Sequence, residues 1–249
     1  MSPIAISSIV FACVFGAALL GRRLGRELPE EYVSKPPGEV IKLTMSLVAT
    51  MSALVLALVI SSASASFSTQ RTEVTQVAAD FALLDRVLAH YGPETKEERA
   101  ELRTIVADIV AQFWSGHDET SNTTLASVDV LMEELQRLQP TDELHRALFA
   151  QAMAILAKLG ELRALLAGQS GRSLSTPFLV VLVFWLAILF LSFGLFAPKT
   201  DAIVGSALLL GALSVSCAIF LVLELDQPFQ GLVQISSAPL LKVAANIGK

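Results

Sequence analysis

The chain has 249 residues, 53% of them apolar, a mean hydropathy of +0.62, and 18 basic against 23 acidic side chains. That balance is too oily for a water-soluble domain, and its net negative charge argues against nucleic acid, whose phosphates would repel it. The charge is also segregated: 10 of the Lys and Arg and 16 of the Asp and Glu fall between Ser66 and Thr176, an acidic insert between apolar stretches.

In chain order, Pro3 to Leu20 is an apolar run stopped by Gly21-Arg22-Arg23. It has no basic residue ahead of it and no small-residue cleavage site, so it reads as a retained transmembrane helix and not as a secretory signal. Gly21 to Lys42 carries Arg22, Arg23, Arg26, Lys35 and Lys42, and its Pro29, Pro36, Pro37 and Gly38 predict a loop. From Glu39 to Tyr91 the chain runs without Gly or Pro, which predicts one continuous helix, a rod of roughly 75 to 80 Å at about 1.5 Å per residue. Its Leu43–Ile60 part is apolar enough to span a bilayer, and its Gln70–Tyr91 part is amphipathic for water.

Past the membrane, Val74, Val77, Phe81, Leu84, Leu88 and Tyr91 recur at spacings of three and four, the seam of a packed helix. Gly92-Pro93 ends it. Thr95 with Glu98 has the form of a capping box, and Leu102, Ile105, Val106, Ile109 and Phe113 give the next apolar face. A third face follows at Leu125, Val128, Leu131, Leu135 and Leu138, stopped by Pro140. Asp142 or Thr141 caps a fourth helix with the face Leu144, Leu148, Ile155, Leu159, Leu162 and Leu166, ending near Gly168 and Gly171. The insert is therefore expected to be a small helical bundle.

Pro177 to Phe196 is a third span, and the brief connection Ala197–Asp201 sends a fourth, Ala202 to Leu223, back beside it. The expected fold is an all-α membrane protein with four transmembrane helices in two hairpins and an inserted soluble helical bundle. Its divisions are residues 1–65 (hairpin one, spans 3–20 and 43–60), 66–176 (bundle, continuous with helix two), 177–223 (hairpin two) and 224–249 (a tail packing near the membrane or the bundle). Five basic residues crowd the first short loop, which favours that loop in the cytoplasm and the bundle outside a cell (inner) membrane. The bilayer is the first partner implied.

The residues suggest no catalytic or metal centre and no cofactor. His90, His117 and His145 each lack ligand partners at suitable spacing, and Ser61, Ser62, Ser64, Ser66 and Ser68 have no base placed by sequence. Cys13 and Cys217 sit in apolar spans, where a thiol is a small hydrophobe. More informative is a stripe on the second span: Thr44, Val48, Ser52, Val55, Val59, Ser62 and Ser66 fall within about 80° of one helical face. Such a stripe serves close helix packing or, if several copies surround an axis, lines a pore with an apolar constriction at Val55 and Val59.

The second informative stretch is Leu221 to Ile235, LVLELDQPFQGLVQI, with Glu224, Asp226, Pro228, Phe229 and Gly231 just beyond the last span. Acidic residues followed by Pro-Phe and a Gly resemble the segment after the final membrane helix of bestrophins. With VTQVAADFALLDRVLAHYGP from Val74 to Pro93 and the two-plus-two layout, the chain resembles the bacterial bestrophin-like membrane family. The resemblance implies a homo-oligomer, a pentamer in bestrophins, that passes small ions along a pore lined by the second transmembrane helix. The acidic run that binds calcium in animal bestrophins is replaced by Leu232, Val233 and Gln234, so calcium gating is not implied. The alternative function is a non-conducting sensor or scaffold whose bundle binds a partner or ligand.

Overall fold

The computed structural model describes residues 2–27, 36–115, 121–138, 140, 142–169, 176–197, 202–229 and 231–248. Their regular structure is entirely helical: α1 (Pro3–Glu27), α2 (Pro36–Tyr91), a single 3-10 turn (Pro93–Thr95), α3 (Lys96–Ser115), α4 (Ser121–Gln136), α5 (Glu143–Gln169), α6 (Thr176–Leu195), α7 (Ala202–Leu225) and α8 (Ala238–Asn246). Four of these, α1, α2, α6 and α7, are long and apolar enough to cross a membrane. The chain is an all-α, multi-pass membrane protein.

Two boundaries differ from the sequence reading. The first helix does not stop at Gly21 but continues through Arg22, Arg23 and Arg26 to Glu27, because Arg is a good helix former and those glycines are held by packing. The second helix begins at Pro36, inside the expected loop. Proline is favoured in the first turn, where its missing N–H has no partner to lose, so Pro36-Pro37 opens the helix instead of preventing it. From Glu39 onward α2 is unbroken to Tyr91, as the absence of Gly and Pro there predicts.

The chain divides into two compact units, Met1–Ser66 with Ser173–Asp226, and Phe67–Arg172 with Gln227–Lys249. In the first, α1 packs along both α6 and α7, whereas α6 and α7, though joined by a short connection, meet only briefly. The α1–α6 contact is one of backbones. A Cβ on Gly21 would collide with the Leu191 carbonyl, one on Gly25 with the Leu195 carbonyl, and one on Gly194 with the Ala18 carbonyl. Val10, Val14, Ala18, Leu182, Leu186, Leu189, Ala212 and Ile219 complete that core, with Met45, Val48, Ala49, Val55 and Leu56 of α2 against it.

The second unit is a water-type bundle. Val74, Phe81, Leu84, Leu88 and Tyr91 are buried along α2, and Leu102, Ile105 and Val106 along α3. Val128, Leu131 and Leu135 of α4 and Ile155, Leu156 and Leu159 of α5 fill the remainder. Leu144 departs from its expected core face, standing 65% exposed in the first turn of α5, before the helix engages the core. The Thr95 hydroxyl forms no capping box of the expected kind. It donates to the Leu88 carbonyl at 2.6 Å and is 3.0 Å from that of Gly92, closing the end of α2. Asp142 does cap α5, its Oδ1 accepting from the His145 backbone N–H at 2.7 Å. Thr141, Gly171, His117 and the side chains of Leu125, Leu162 and Leu166 lie outside the described residues.

Candidate functional site

The second helix is set apart by how little of it its own protomer covers. Of its apolar window 6% is buried, against 33% for the corresponding windows of α1, α6 and α7. A membrane helix left so open turns most of its surface to lipid, to other copies of the chain, or to water.

The stripe singled out by sequence divides on this helix. Ser52 is buried in its own protomer, 2% exposed. Val48 and Val55 are half-buried against the membrane core, and Val59 lines a small apolar groove with Leu56, Phe178, Leu179, Leu182, Ile219 and Val222. Thr44, Ser62 and Ser66 are exposed. The face centred on Ser52 is thus largely the one α2 turns toward its own helices.

The opposite half carries two exposed ridges. One is Leu43, Leu47, Leu54 and Leu58, the last two 61% and 70% exposed. The other, roughly 100° to 180° from Ser52, is Ser46, Thr50, Ala53, Ala57, Ser61 and Ser64, all exposed, small and uncharged. Sequence reasoning passed over this second ridge because hydroxyl residues occur nearly all round α2. Only knowing which face packs inward separates them.

The tail residues fall as follows. Glu224 is buried and Asp226 half-buried at the end of α7. In the second unit Pro228 is buried, and the Phe229 ring meets Phe113 at 5.3 Å and Trp114 at 5.1 Å between centroids. Gly231 has φ 103°, the left-handed region where a side chain is strained, and this turn brings the Ile235 N–H to the Pro228 carbonyl at 2.8 Å. The Trp114 indole N–H donates to the Ile235 carbonyl at 2.7 Å, and Ile235, Leu240 and Ile247 are buried in the bundle core. Leu232 and Val233 are exposed, the former at 78%.

Polar contacts in the bundle are structural. Asp80, buried on α2, accepts from Gln76 at 3.0 Å and from Lys158 of α5 at 3.0 Å, and Asp85 pairs with Arg99 of α3 at 2.7 Å. His90 lies exposed with Nδ1 2.7 Å from the Arg86 carbonyl, and His145 pairs with Asp142 at 2.7 Å. Among the described residues no group of three His, Cys, Asp or Glu is placed to hold a metal.

The Bestrophin-like domain family matches residues 10–240, nearly the whole chain. The chain belongs to the bestrophin-like family. No curated protein matches this bestrophin-like chain. Among solved structures, it is similar to a crystal structure of a membrane protein, at 12% identity and TM-score 0.70, covering 97% of each chain. It is similar also to a mutated bacterial bestrophin homologue from Klebsiella pneumoniae, at 14% identity and TM-score 0.67, covering 94% of this chain and 97% of that one. A structure of the same Klebsiella pneumoniae homologue solved by zinc phasing gives 14% identity and TM-score 0.65, with 93% and 94% covered. At these identities the likeness shows the fold.

Proposed function

We propose that this bestrophin-like protein is a homo-oligomeric channel of the cell (inner) membrane that passes small ions along a pore lined by α2. The observation that carries the reading is the openness of the α2 window, combined with family membership. A ring of subunits, five by analogy with bestrophins, would cover that surface.

Within α2 the proposal moves the water-facing line from the Ser52 face to Ser46, Thr50, Ala53, Ala57, Ser61 and Ser64. A pore-lining side chain must face away from its own protomer, and this ridge is exposed and offers hydroxyls that can replace part of an ion's hydration shell. The leucine ridge then meets lipid or the neighbouring copy. The line carries no formal charge, so selectivity would come from pore width and hydroxyl dipoles.

The test is single-cysteine substitution along α2, with both native cysteines replaced, in protein reconstituted into planar bilayers and exposed to a charged thiol reagent. Block of current at positions 50, 57 and 61 supports the proposed line. Block at positions 55 and 59 instead returns the pore to the half-buried valines. Absence of current, together with a monomer or two-fold dimer in mild detergent, would leave the sensor or scaffold, a reading that the inward packing of Ser52, Val48 and Val55 favours. Orientation is part of the same proposal: the basic loop in the cytoplasm and the second unit outside. Cysteines at Ser34 and Ser121 would label from opposite sides of intact cells, and labelling of Ser34 from outside reverses it.

A further inference from the structure

The tail turns as soon as it leaves the last span. The membrane window of α7 ends at Leu225, and the stretch from Gln227 to Leu241 carries no charged side chain, in a unit otherwise rich in charge. Pro228 is buried, the Phe229 ring meets that of Phe113, and the Ile235 N–H returns to the Pro228 carbonyl, so residues 228–235 form a closed turn with both ends seated. The Gln234 side-chain amide donates to the Gly231 carbonyl at 2.9 Å, satisfying one of the turn's own polar groups without water. Between the seated ends, Leu232 is more exposed than any other large apolar side chain described in the second unit, and Val233 and Phe113 are each 37% exposed. Turns in water favour Gly, Asn, Asp, Ser and Pro. A lone exposed leucine is ordinary, but a leucine–valine pair on an anchored, uncharged turn with an aromatic pair at its base is a patch.

We propose that this turn is a membrane-surface anchor, in which Leu232 and Val233 enter the headgroup–acyl boundary of the bilayer that α7 has just crossed. Chain continuity selects lipid as the occupant. Leu232 lies seven residues past Leu225 and four past Pro228, about 14 Å from the latter even at full extension, and the polar layer on each side of the hydrocarbon core is about 5 to 8 Å thick. The bond between Ile235 and Pro228 doubles the chain back before it can carry the pair away.

The chemistry agrees with that place. Apolar side chains beside aromatic rings, with the uncharged polar neighbours Gln227, Gln234 and Ser236, suit the interface, where a charge would lose hydration and an exposed leucine gains cover. Phe229 packs on the bundle core and Ile235 lies within it, so the turn ties that core to the lipid surface through side chains as well as through the chain itself.

The experiment is spin labelling of the full-length chain in phosphatidylcholine nanodiscs, with Cys13 and Cys217 replaced by Ala. Nitroxides are attached to Leu232→Cys, to Val233→Cys and, as the aqueous reference, to Lys96→Cys, an exposed position on α3. Oxygen concentrates in hydrocarbon and a nickel chelate stays in water, so the ratio of oxygen to nickel relaxation should be severalfold higher at 232 and 233 than at 96. A ratio equal to that at 96 places the turn in water and overturns the anchor. Loss of access to both reagents, with an immobilised spectrum, means that a second copy of the chain covers the patch, and overturns it equally. Without any label, Leu232→Ser combined with Val233→Ser should raise hydrogen exchange across residues 229–237 severalfold in the same nanodiscs, and unchanged exchange would count against the anchor. Neither readout needs an ion current, so failure of the channel reading and failure of the anchor are told apart.

Discussion

The two units build their cores by opposite means. In the membrane unit the tightest contact is between backbones, at Gly21, Gly25 and Gly194, with Ala18 and Ala212 fully buried beside them. In the bundle the fully buried side chains are large: Leu84, Leu88, Leu102, Ile105, Leu131, Leu135 and Leu156. Solvent explains the difference. Lipid gives apolar side chains no reason to leave it, so membrane helices gain by close approach and dense packing, whereas in water the area of hydrocarbon removed from solvent dominates.

The comparison breaks most visibly through the bundle's large side chains. Leu84→Ala or Leu131→Ala should destabilise the second unit by about 2 to 5 kcal/mol each, read by thermal melting with limited proteolysis, and leave the membrane unit protease-resistant. If they loosen both units equally, the chain has one cooperative core and the contrast fails. In the membrane unit, adding a single methyl should do what deletion does in the bundle. Gly21→Ala or Gly194→Ala should each cost about 1 to 3 kcal/mol or more, because the obstacle is a carbonyl on the facing helix. Gly16→Ala, with nothing in reach of its Cβ, is the control and should be tolerated.

Smaller effects sharpen the contrast within the bundle. Thr95→Val removes the buried hydroxyl donor and leaves the Leu88 carbonyl only the longer bond from the Gly92 N–H, at 3.4 Å, and should cost about 1 kcal/mol, measured by urea unfolding. Gly160→Ala meets no neighbour and should stabilise α5 by about 0.5 to 1 kcal/mol, a gain from helix propensity. The smallest effect concerns the exposed Asp142–His145 pair. The Asp142 side chain beside it raises His145, and hydrogen bonds from His145 lower Asp142. The contribution of the histidine is therefore present below its ordinary range and lost as pH rises past the raised value. That of the aspartate is lost as pH falls through the depressed one. Asp142→Asn should shift the His145 titration, followed by NMR, to lower pH.

Most of the fold could be read because hydrocarbon runs and threefold–fourfold spacing record burial directly. Val74, Phe81, Leu84 and Leu88 lie where their spacing puts them. Helix ends were less legible: proline at Pro36 and glycine at Gly21 signal a break in water, yet one opens a helix and the other is retained for a close crossing. α8 went unread because a nine-residue helix with one fully buried leucine, Leu240, makes too short a pattern. The candidate pore line was legible only as a choice. A single transmembrane sequence shows that hydroxyls are present, but which of them faces inward depends on α1, α6 and α7, whose positions no periodicity in α2 encodes.

The indole of Trp114 has a consequence for observation. The chain holds two tryptophans, Trp114 and Trp185, and only Trp114 has its N–H fixed to the returning tail, with Phe229 set edge-on against its ring. Replacing Trp185 by Phe would leave one fluorophore whose emission colour and quenching register whether residues 227–248 are seated. Undocking would wet the ring and shift its light to the red. The molecule thus carries its own optical gauge of tail attachment, which can be watched in real time while voltage, pH or a candidate ligand is varied.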